Sequence, residues 1–190
     1  MQRRLVTFLT GQSDPGRNAL SAEQSSFLDS LALPEDERLP LNFPWDHRTA
    51  PHRDVSLAQA TVANVAQFLG ARRPRFGARH RADLERLLAR AEHVVFLAGS
   101  CGLELLRAID PPREAWPRLH VFAYGPVAWA RPEWHCHLVG GRRDPISRAF
   151  FARPDTLVDA DHMSYLREPL VRDEALAFLA RVDARIRGAR

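Results

Sequence analysis

Short apolar segments alternate with amphipathic segments along most of the chain. The apolar segments are rich in β-branched and aromatic residues, as buried strands are, whereas the amphipathic ones space their apolar residues three and four apart, as helices do. The pattern predicts six strands, at residues 4–9, 38–45, 93–100, 118–125, 134–141 and 155–162. It also predicts six helices, at residues 20–31, 56–70, 79–91, 102–109, 145–151 and 172–187.

The order of these elements predicts the fold class. They follow one another as β-α-β-α-α-β-α-β-β-α-β-α, which is typical of an α/β protein with a mainly parallel sheet and helices on both of its faces. We therefore expect a three-layer α/β/α sandwich around a six-stranded sheet. A chain of 190 residues can bury a full core in one domain, so we expect residues 1–190 to form a single domain.

The segment "VVFLAGSCGLELL", residues 94–106, passes from strand to helix through a few small residues. One explanation is packing, because a strand and a helix approach closely where side chains are small. The other is that the turn lifts Ser100 out of the sheet as a nucleophile. Functional groups of an open parallel sheet gather at the carboxyl ends of its strands. Gln12, Asp144 and His162 also follow predicted strands.

"LAGSCG" resembles the nucleophile elbow of the α/β-hydrolase superfamily, with an alanine where glycine is commoner at the leading position. "HLVGGRRDPIS" and "DADHMSYL" resemble the family's segments that contain its acid and its histidine, and the order Ser100, Asp144, His162 is the family's order. The resemblance covers nearly the whole chain, starting at what would be the family's third strand. It implies a minimal α/β-hydrolase fold, which departs from the family in lacking an amino-terminal hairpin and a lid, and in having Thr10-Gly11 where many members have His-Gly.

The resemblance also implies roles for individual residues. Ser100 would be the nucleophile, His162 its general base, and Asp144 the acid that orients the imidazole. The backbone N–H groups of Cys101 and of Gln12, or of the glycine before it, would form an oxyanion hole. The implied activity is hydrolysis of a carboxylic ester or thioester through an acyl-enzyme, with no cofactor and no metal. The alternatives are an acyltransferase that uses the same acyl-enzyme, and an inactive binding protein that keeps the fold.

Neighbouring residues compete for two of these roles. Cys101 would be activated as a thiolate at the start of a helix, although its position one past the apex suits an amide donor better. Asp159 can reach the histidine from the last strand and is an alternative acid to Asp144. Asp161 adjoins that histidine in sequence and would struggle to reach its ring.

Composition excludes several classes of chemistry. All 27 basic residues are arginine, so neither a lysine Schiff base nor a lysine-bearing phosphate loop can form. The arginines are scattered and no nucleic-acid motif accompanies them, so we expect no nucleic-acid partner. With Cys101 and Cys136 alone, we expect neither a disulfide framework nor a structural zinc site. His135 and His137 share a face of a predicted strand, as a metal pair does, but no third ligand is close in sequence.

Location and partners follow from the same observations. No apolar run is long enough to span a bilayer and no signal peptide is recognisable, so we expect a cytoplasmic protein. A site without a lid is open to bulky substrates, so the substrate is either a small molecule or an acyl chain linked to a carrier protein. The net charge of +4 and the arginine-rich carboxy-terminal "RVDARIRGAR" would suit an acidic carrier protein.

Overall fold

The computed structural model describes residues 2–12, 18–45 and 57–188, except for the side chains of residues 2 and 57–62. The strands are β1 (Gln2–Leu9), β2 (Arg38–Asn42), β3 (Ala91–Gly99), β4 (Leu119–Tyr124), β5 (His135–Gly141) and β6 (Thr156–Val158). The helices are α1 (Ala22–Ser30), α2 (Leu57–Ala71), α3 (Pro74–Arg90), α4 (Gly102–Ile109), α5 (Pro145–Phe150) and α6 (Pro169–Gly188). None of the helices in these described ranges is both long and apolar enough to cross a membrane.

The strands form one sheet in the order β2-β1-β3-β4-β5-β6. Every neighbouring pair is parallel. Helices lie on both faces, so the predicted three-layer α/β sandwich with a six-stranded sheet is confirmed. The predicted succession of strands and helices is also the observed one.

Two apolar layers hold the helices on the sheet. On one face α3 and α4 pack through buried residues that include Leu84, Leu87, Leu103, Leu106 and Phe96. On the other face α1 and α6 pack through buried residues that include Phe27, Phe178, Val182, Val95 and Phe122. The central strands β3 and β4 are covered on both faces, which explains why they are apolar at nearly every position.

The clearest differences from the predicted extents are in α3 and β6. α3 begins at Pro74, well before the predicted start at residue 79, because a proline in the first helical turn loses no hydrogen bond. Gly77 inside this extension allows α3 to approach α4, since a Cβ there would lie 2.5 Å from the Ala108 carbonyl oxygen. β6 ends at Val158 rather than at residue 162, because this edge strand pairs with β5 alone and only over three residues.

The strand order places a crevice at the carboxyl ends of β1 and β3. From β1 the chain moves to β2 on one side, and it then crosses to β3 on the other side. A reversal of this kind is the usual ligand site of an open α/β sheet. Gly11 and Gln12, which follow β1, and Ser100, which follows β3, therefore lie at the same edge of the sheet.

A row of histidines lies near the opposite, amino-terminal ends of the strands. His93 Nδ1 is 3.1 Å from His120 Nε2, and His120 Nδ1 is 2.9 Å from His135 Nδ1. Burial lowers the pKa of His120 to about 3, and the two neighbouring imidazoles add to the effect. Burial and the charge of Arg185 lower the pKa of His135 to about 4. Both rings are therefore neutral at pH 7.

His135 and His137, the two histidines that share a face of their strand, bond to different partners. His135 bonds to His120 in this row, whereas His137 Nε2 lies 3.1 Å from Glu174 Oε2 on α6. Across the described residues, no three His, Cys, Asp or Glu side chains are grouped as ligands for a metal ion.

We predict that the protein loses stability as the pH falls from 7 to 5. A histidine whose pKa is 6.5 when unfolded but about 3 when folded binds protons mainly in the unfolded chain over this range, which lowers the free energy of unfolding. For His120 the expected loss is about 2 kcal/mol between pH 7 and pH 5. Urea unfolding at several pH values measures it. In His120→Phe the free energy of unfolding should depend less steeply on pH. An unchanged slope would show that His120 is not the source of the pH dependence.

Candidate active site

Ser100 occupies a left-handed turn between β3 and α4. Its φ of +52° lies in a region that costs a residue with a side chain on the order of 1 kcal/mol. Two backbone hydrogen bonds hold the turn on either side. The Ser100 N–H donates to the Tyr124 carbonyl oxygen at 3.3 Å, and the Val127 N–H donates to the Ser100 carbonyl oxygen at 2.9 Å. The end of β4 and the segment that follows it thus keep the serine in a conformation that it would not adopt alone.

The residues around Ser100 are small because there is no space for larger ones. A Cβ on Gly102 would lie 1.8 Å from the Leu9 carbonyl oxygen, so α4 begins directly against the end of β1. A Cβ on Gly99 would lie 2.6 Å from the Tyr124 ring. Close packing therefore requires these glycines, and the same close packing places Ser100 beside the residues that follow β1.

Ser100, His162 and Asp144 are joined by hydrogen bonds. Ser100 Oγ lies 3.1 Å from His162 Nε2, and His162 Nδ1 lies 2.9 Å from Asp144 Oδ2. The three residues come from the ends of β3, β5 and β6, and the structure brings them together as their strand positions suggested. In a neutral imidazole that donates its Nδ1–H to an ionised carboxylate, Nε2 has no proton and accepts the serine O–H.

The carboxylate of Asp144 is fully buried and fully hydrogen-bonded. Its Oδ1 accepts the N–H groups of Ile146 and Ser147 at the start of α5, both at 3.0 Å. Its Oδ2 accepts the Tyr165 O–H at 2.8 Å in addition to the histidine. Burial by itself raises the pKa of Asp144, but the hydrogen bonds from His162, Ser147 and Tyr165 outweigh it and hold the pKa below its usual value. The group is therefore ionised at neutral pH.

The alternative acids lie elsewhere. Asp159 is exposed and forms an ion pair with Arg143, with 2.9 Å between Oδ1 and Nε. Asp161 is also exposed, and its Oδ1 accepts the Met163 N–H at 2.9 Å within the turn. The structure therefore joins His162 to Asp144 and leaves both alternative carboxylates at the surface.

The Cys101 thiol is in no position to act as the alternative nucleophile. The side chain is buried and packs against Gly11, where a Cβ would lie 2.9 Å from Sγ. Burial raises the pKa of Cys101 to about 12, despite hydrogen bonds from backbone groups of Cys101 and Gly11. A thiol of that pKa is hardly ionised at neutral pH and is a weak nucleophile.

The backbone of Gln12 already has a partner. Its N–H donates to Gln67 Oε1 at 2.6 Å, and its carbonyl oxygen accepts from Gln67 Nε2 at 2.9 Å. One side-chain amide on α2 thus pairs with both backbone groups of the residue that was predicted to supply an oxyanion donor. Gln67 Oε1 therefore accepts the hydrogen bond that the Gln12 N–H would otherwise donate to the oxyanion of a substrate.

Three residues of the site were missed in the sequence. Tyr165 supports Asp144, and α2 contributes Asn64 and Gln67 to the crevice. A signal for the two amides was present, because they are the only polar side chains in "VANVAQFLGA", residues 62–71, and stand three apart on a helix. No comparable signal marks Tyr165, which is one of many aromatic residues.

A cavity of about 220 Å³ opens beside Ser100 and His162. Its described wall comes from the end of β1, the end of β2, the start of α1, Asn64 of α2 and the turn after β6, through residues that include Thr10, Gln24, Asn42, Met163 and Leu166. This cavity lies in the crevice that the strand order creates, so the hydrogen-bonded serine faces a space that a small molecule can enter.

Two comparisons of the sequence with known proteins found no match. No model of a known protein family matches the sequence, and no curated protein matches it. Inferences about function therefore depend on the geometry of the site.

We predict that Gly102→Ala destabilises the protein by about 2–3 kcal/mol, because the new methyl group overlaps the Leu9 carbonyl oxygen and α4 must shift away from β1. Gly70→Ala is the matched control, since a Cβ at this position in α2 meets nothing within 4 Å. It should be neutral or raise the free energy of unfolding by up to about 1 kcal/mol, the difference in helix propensity. Urea unfolding compares the two variants, and equal losses in the free energy of unfolding would contradict the close packing of α4 against β1.

Proposed function

We propose that this protein is a serine hydrolase of the α/β-hydrolase type that cleaves a carboxylic ester or thioester through an acyl-Ser100 intermediate. The observation that supports the proposal most is the continuous hydrogen-bonded series from Ser100 Oγ to His162 and on to Asp144. The left-handed turn at Ser100, the chain order of the three residues and their common position at the carboxyl edge of the sheet add further support.

Acylation starts at Ser100. As Oγ attacks the carbonyl carbon, His162 Nε2 takes the hydroxyl proton, and the carbonyl oxygen becomes a tetrahedral oxyanion. The Asp144 carboxylate stabilises the imidazolium that forms. When the intermediate collapses, the bond to the alcohol or thiol breaks, and His162 returns the proton to this leaving group.

Deacylation repeats the sequence with water. His162 Nε2 takes a proton from a water molecule that attacks the acyl-serine carbonyl carbon, and the second tetrahedral intermediate collapses with Ser100 as the leaving group. The serine oxygen regains its proton from His162, and the carboxylic acid departs. The enzyme therefore ends in the state in which it began, and no cofactor or metal takes part.

The oxyanion would be held by the backbone N–H groups of Cys101, at the start of α4, and of Gln12. The Gln12 N–H donates to Gln67 Oε1, so the developing oxyanion can accept this N–H only if it displaces the neutral amide oxygen of Gln67. A hydrogen bond to a charged oxygen is roughly twice as strong as one to a neutral oxygen. The exchange therefore favours the transition state over the bound ester, whose carbonyl oxygen is neutral, and this difference is what accelerates a reaction.

The geometry favours a substrate that arrives as a small molecule. Arg181, Arg185 and Arg187 of the arginine-rich carboxy-terminal segment belong to α6, and Arg185 lies near the amino ends of the strands, where it influences His120 and His135. Ser100 is at the opposite edge, a strand length of roughly 20 Å away. A carrier protein docked on those arginines would have to span the sheet. Both cysteines are free thiols, which suits the reducing cytoplasm that we propose as the protein's location.

We predict that a fluorophosphonate probe labels the wild-type protein and that Ser100→Ala abolishes the labelling, because the probe forms a bond with an activated serine oxygen. Ser30→Ala is the matched control, since the Ser30 hydroxyl donates to the Phe27 carbonyl oxygen of its own helix, at 2.7 Å. It should be labelled like the wild type. Mass spectrometry of the labelled peptide identifies the residue, and an unlabelled wild type would refute the proposed enzyme.

We predict that Asp144→Asn lowers kcat/KM for an activated ester by about 10⁴-fold, because the amide holds His162 in the wrong tautomer. Asp159→Asn, the corresponding change at the exposed alternative acid, should alter kcat/KM by less than about twofold. Stopped-flow or steady-state hydrolysis of a p-nitrophenyl ester compares the variants. If Asp159→Asn lowered kcat/KM more than Asp144→Asn, Asp159 would be the acid of the triad instead.

A further inference from the structure

The cavity beside Ser100 is small, and its described wall is about as polar as it is apolar. Its volume of about 220 Å³ is below the roughly 300–1,000 Å³ that is typical of ligand sites. Polar side chains such as Thr10, Gln24 and Asn64 reach it from three different elements, whereas its aliphatic side chains are chiefly Met163 and Leu166. A long acyl chain gains its binding energy from apolar surface. A cavity of this size, whose wall is only partly apolar, therefore suits a short acyl group.

Several of the polar groups are already paired within the protein. Asn42 Oδ1 accepts the Thr10 N–H at 2.8 Å, and Asn42 Nδ2 donates to the Thr10 carbonyl oxygen at 3.3 Å. Gln24 Oε1 accepts the Ser21 N–H at 2.9 Å in the cap of α1, and Gln24 Nε2 donates to Thr10 Oγ1 at 3.4 Å. These groups shape the wall, and their main hydrogen-bonding capacity is used within it.

Asn64 differs from them. Its Oδ1 is buried and, in the part of the chain that the structure describes, has no hydrogen-bond partner. The oxygen packs against Gly11, where a Cβ would lie 2.2 Å from it and 2.9 Å from Cys101 Sγ. It is thus next to the residues proposed to hold the oxyanion. A buried acceptor without a donor destabilises a protein, and such atoms are uncommon unless something else pairs with them.

We propose that Asn64 Oδ1 accepts a hydrogen bond from the substrate, and that the substrate is a short-chain ester or thioester with an O–H or N–H group within a few atoms of its reacting carbonyl. The inference rests on the proposed hydrolysis at Ser100. Hydroxyacyl and aminoacyl esters, and monoesters of small diols, have this chemistry. The acceptor is a neutral amide oxygen, so it selects a donor without requiring a positive charge on the substrate.

Two matched pairs of esters test the hydrogen bond. The p-nitrophenyl esters of lactate and isobutyrate differ by a hydroxyl in place of a methyl group on the acyl side. The 2-hydroxyethyl and propyl esters of acetate differ in the same way on the alcohol side. The ratio of kcat/KM within each pair is measured for the wild type and for Asn64→Leu, and division of the two ratios cancels the intrinsic reactivity of the esters.

We expect the kcat/KM ratio in favour of the hydroxyl-bearing ester to fall about fivefold in Asn64→Leu for at least one pair. A change of this size corresponds to the loss of one neutral hydrogen bond. Asn64→Asp keeps an acceptor oxygen and should retain the preference. Val65→Ala, at the adjacent and exposed position of α2, should retain it too. Ratios that are unchanged in Asn64→Leu for both pairs would overturn the proposal.

Thermal unfolding and acyl-chain length give independent readouts. Asn64→Leu removes the unpaired oxygen, so its Tm should rise by a few degrees, and a fall in Tm together with unchanged ratios overturns the proposal as well. Among p-nitrophenyl esters, kcat/KM should decrease from butyryl to octanoyl. A maximum at octanoyl would overturn the short-chain assignment while Ser100 labelling still supports the hydrolase. Absence of labelling would instead refute the hydrolase itself.

Discussion

The candidate site depends above all on the need to stabilise one buried charge. The Asp144 carboxylate is withdrawn from water, so it requires hydrogen bonds from the protein. Two backbone N–H groups of α5, the Tyr165 hydroxyl and the His162 ring provide them. These donors belong to separate segments, which the carboxylate thereby holds together. The orientation of the imidazole toward Ser100 follows from the way in which the charge is satisfied.

The two explanations for the abrupt turn after β3 describe a single geometry. Gly102 brings α4 against the end of β1, and this contact is a packing requirement of the sheet. The same contact makes the backbone turn back so sharply that Ser100 takes a left-handed conformation and stands at the carboxyl edge. Strain at one residue is tolerated because the surrounding β-strands and α4 are buried and well packed.

Periodicity was sufficient to predict the elements, their order and the three-layer architecture, because a buried parallel sheet imposes long apolar segments at its centre. The predicted strand ends also drew attention to Gln12, Ser100, Asp144 and His162, since residues that follow parallel strands meet at one edge. The resemblance to the α/β-hydrolase superfamily then singled out the last three as a possible triad. The early start of α3 and the short β6 were missed because they depend on contacts with α4 and on the lack of a further strand. The hydrogen bonds of Gln67 with Gln12 depend on how α2 packs, which local sequence does not encode.

The neutral ring of His120 lies between His93 and His135, and its single ring proton has only two possible positions. Each contact between nitrogens holds one proton, so a proton on His120 Nδ1 requires His93 to be protonated at Nδ1 and His135 at Nε2. A proton on His120 Nε2 instead requires His93 to be protonated at Nε2 and His135 at Nδ1. The tautomers of residues on three different strands are therefore coupled. The hydrogen bonds along the row all point one way or all point the other way, so the row has a single dipole that can reverse its direction.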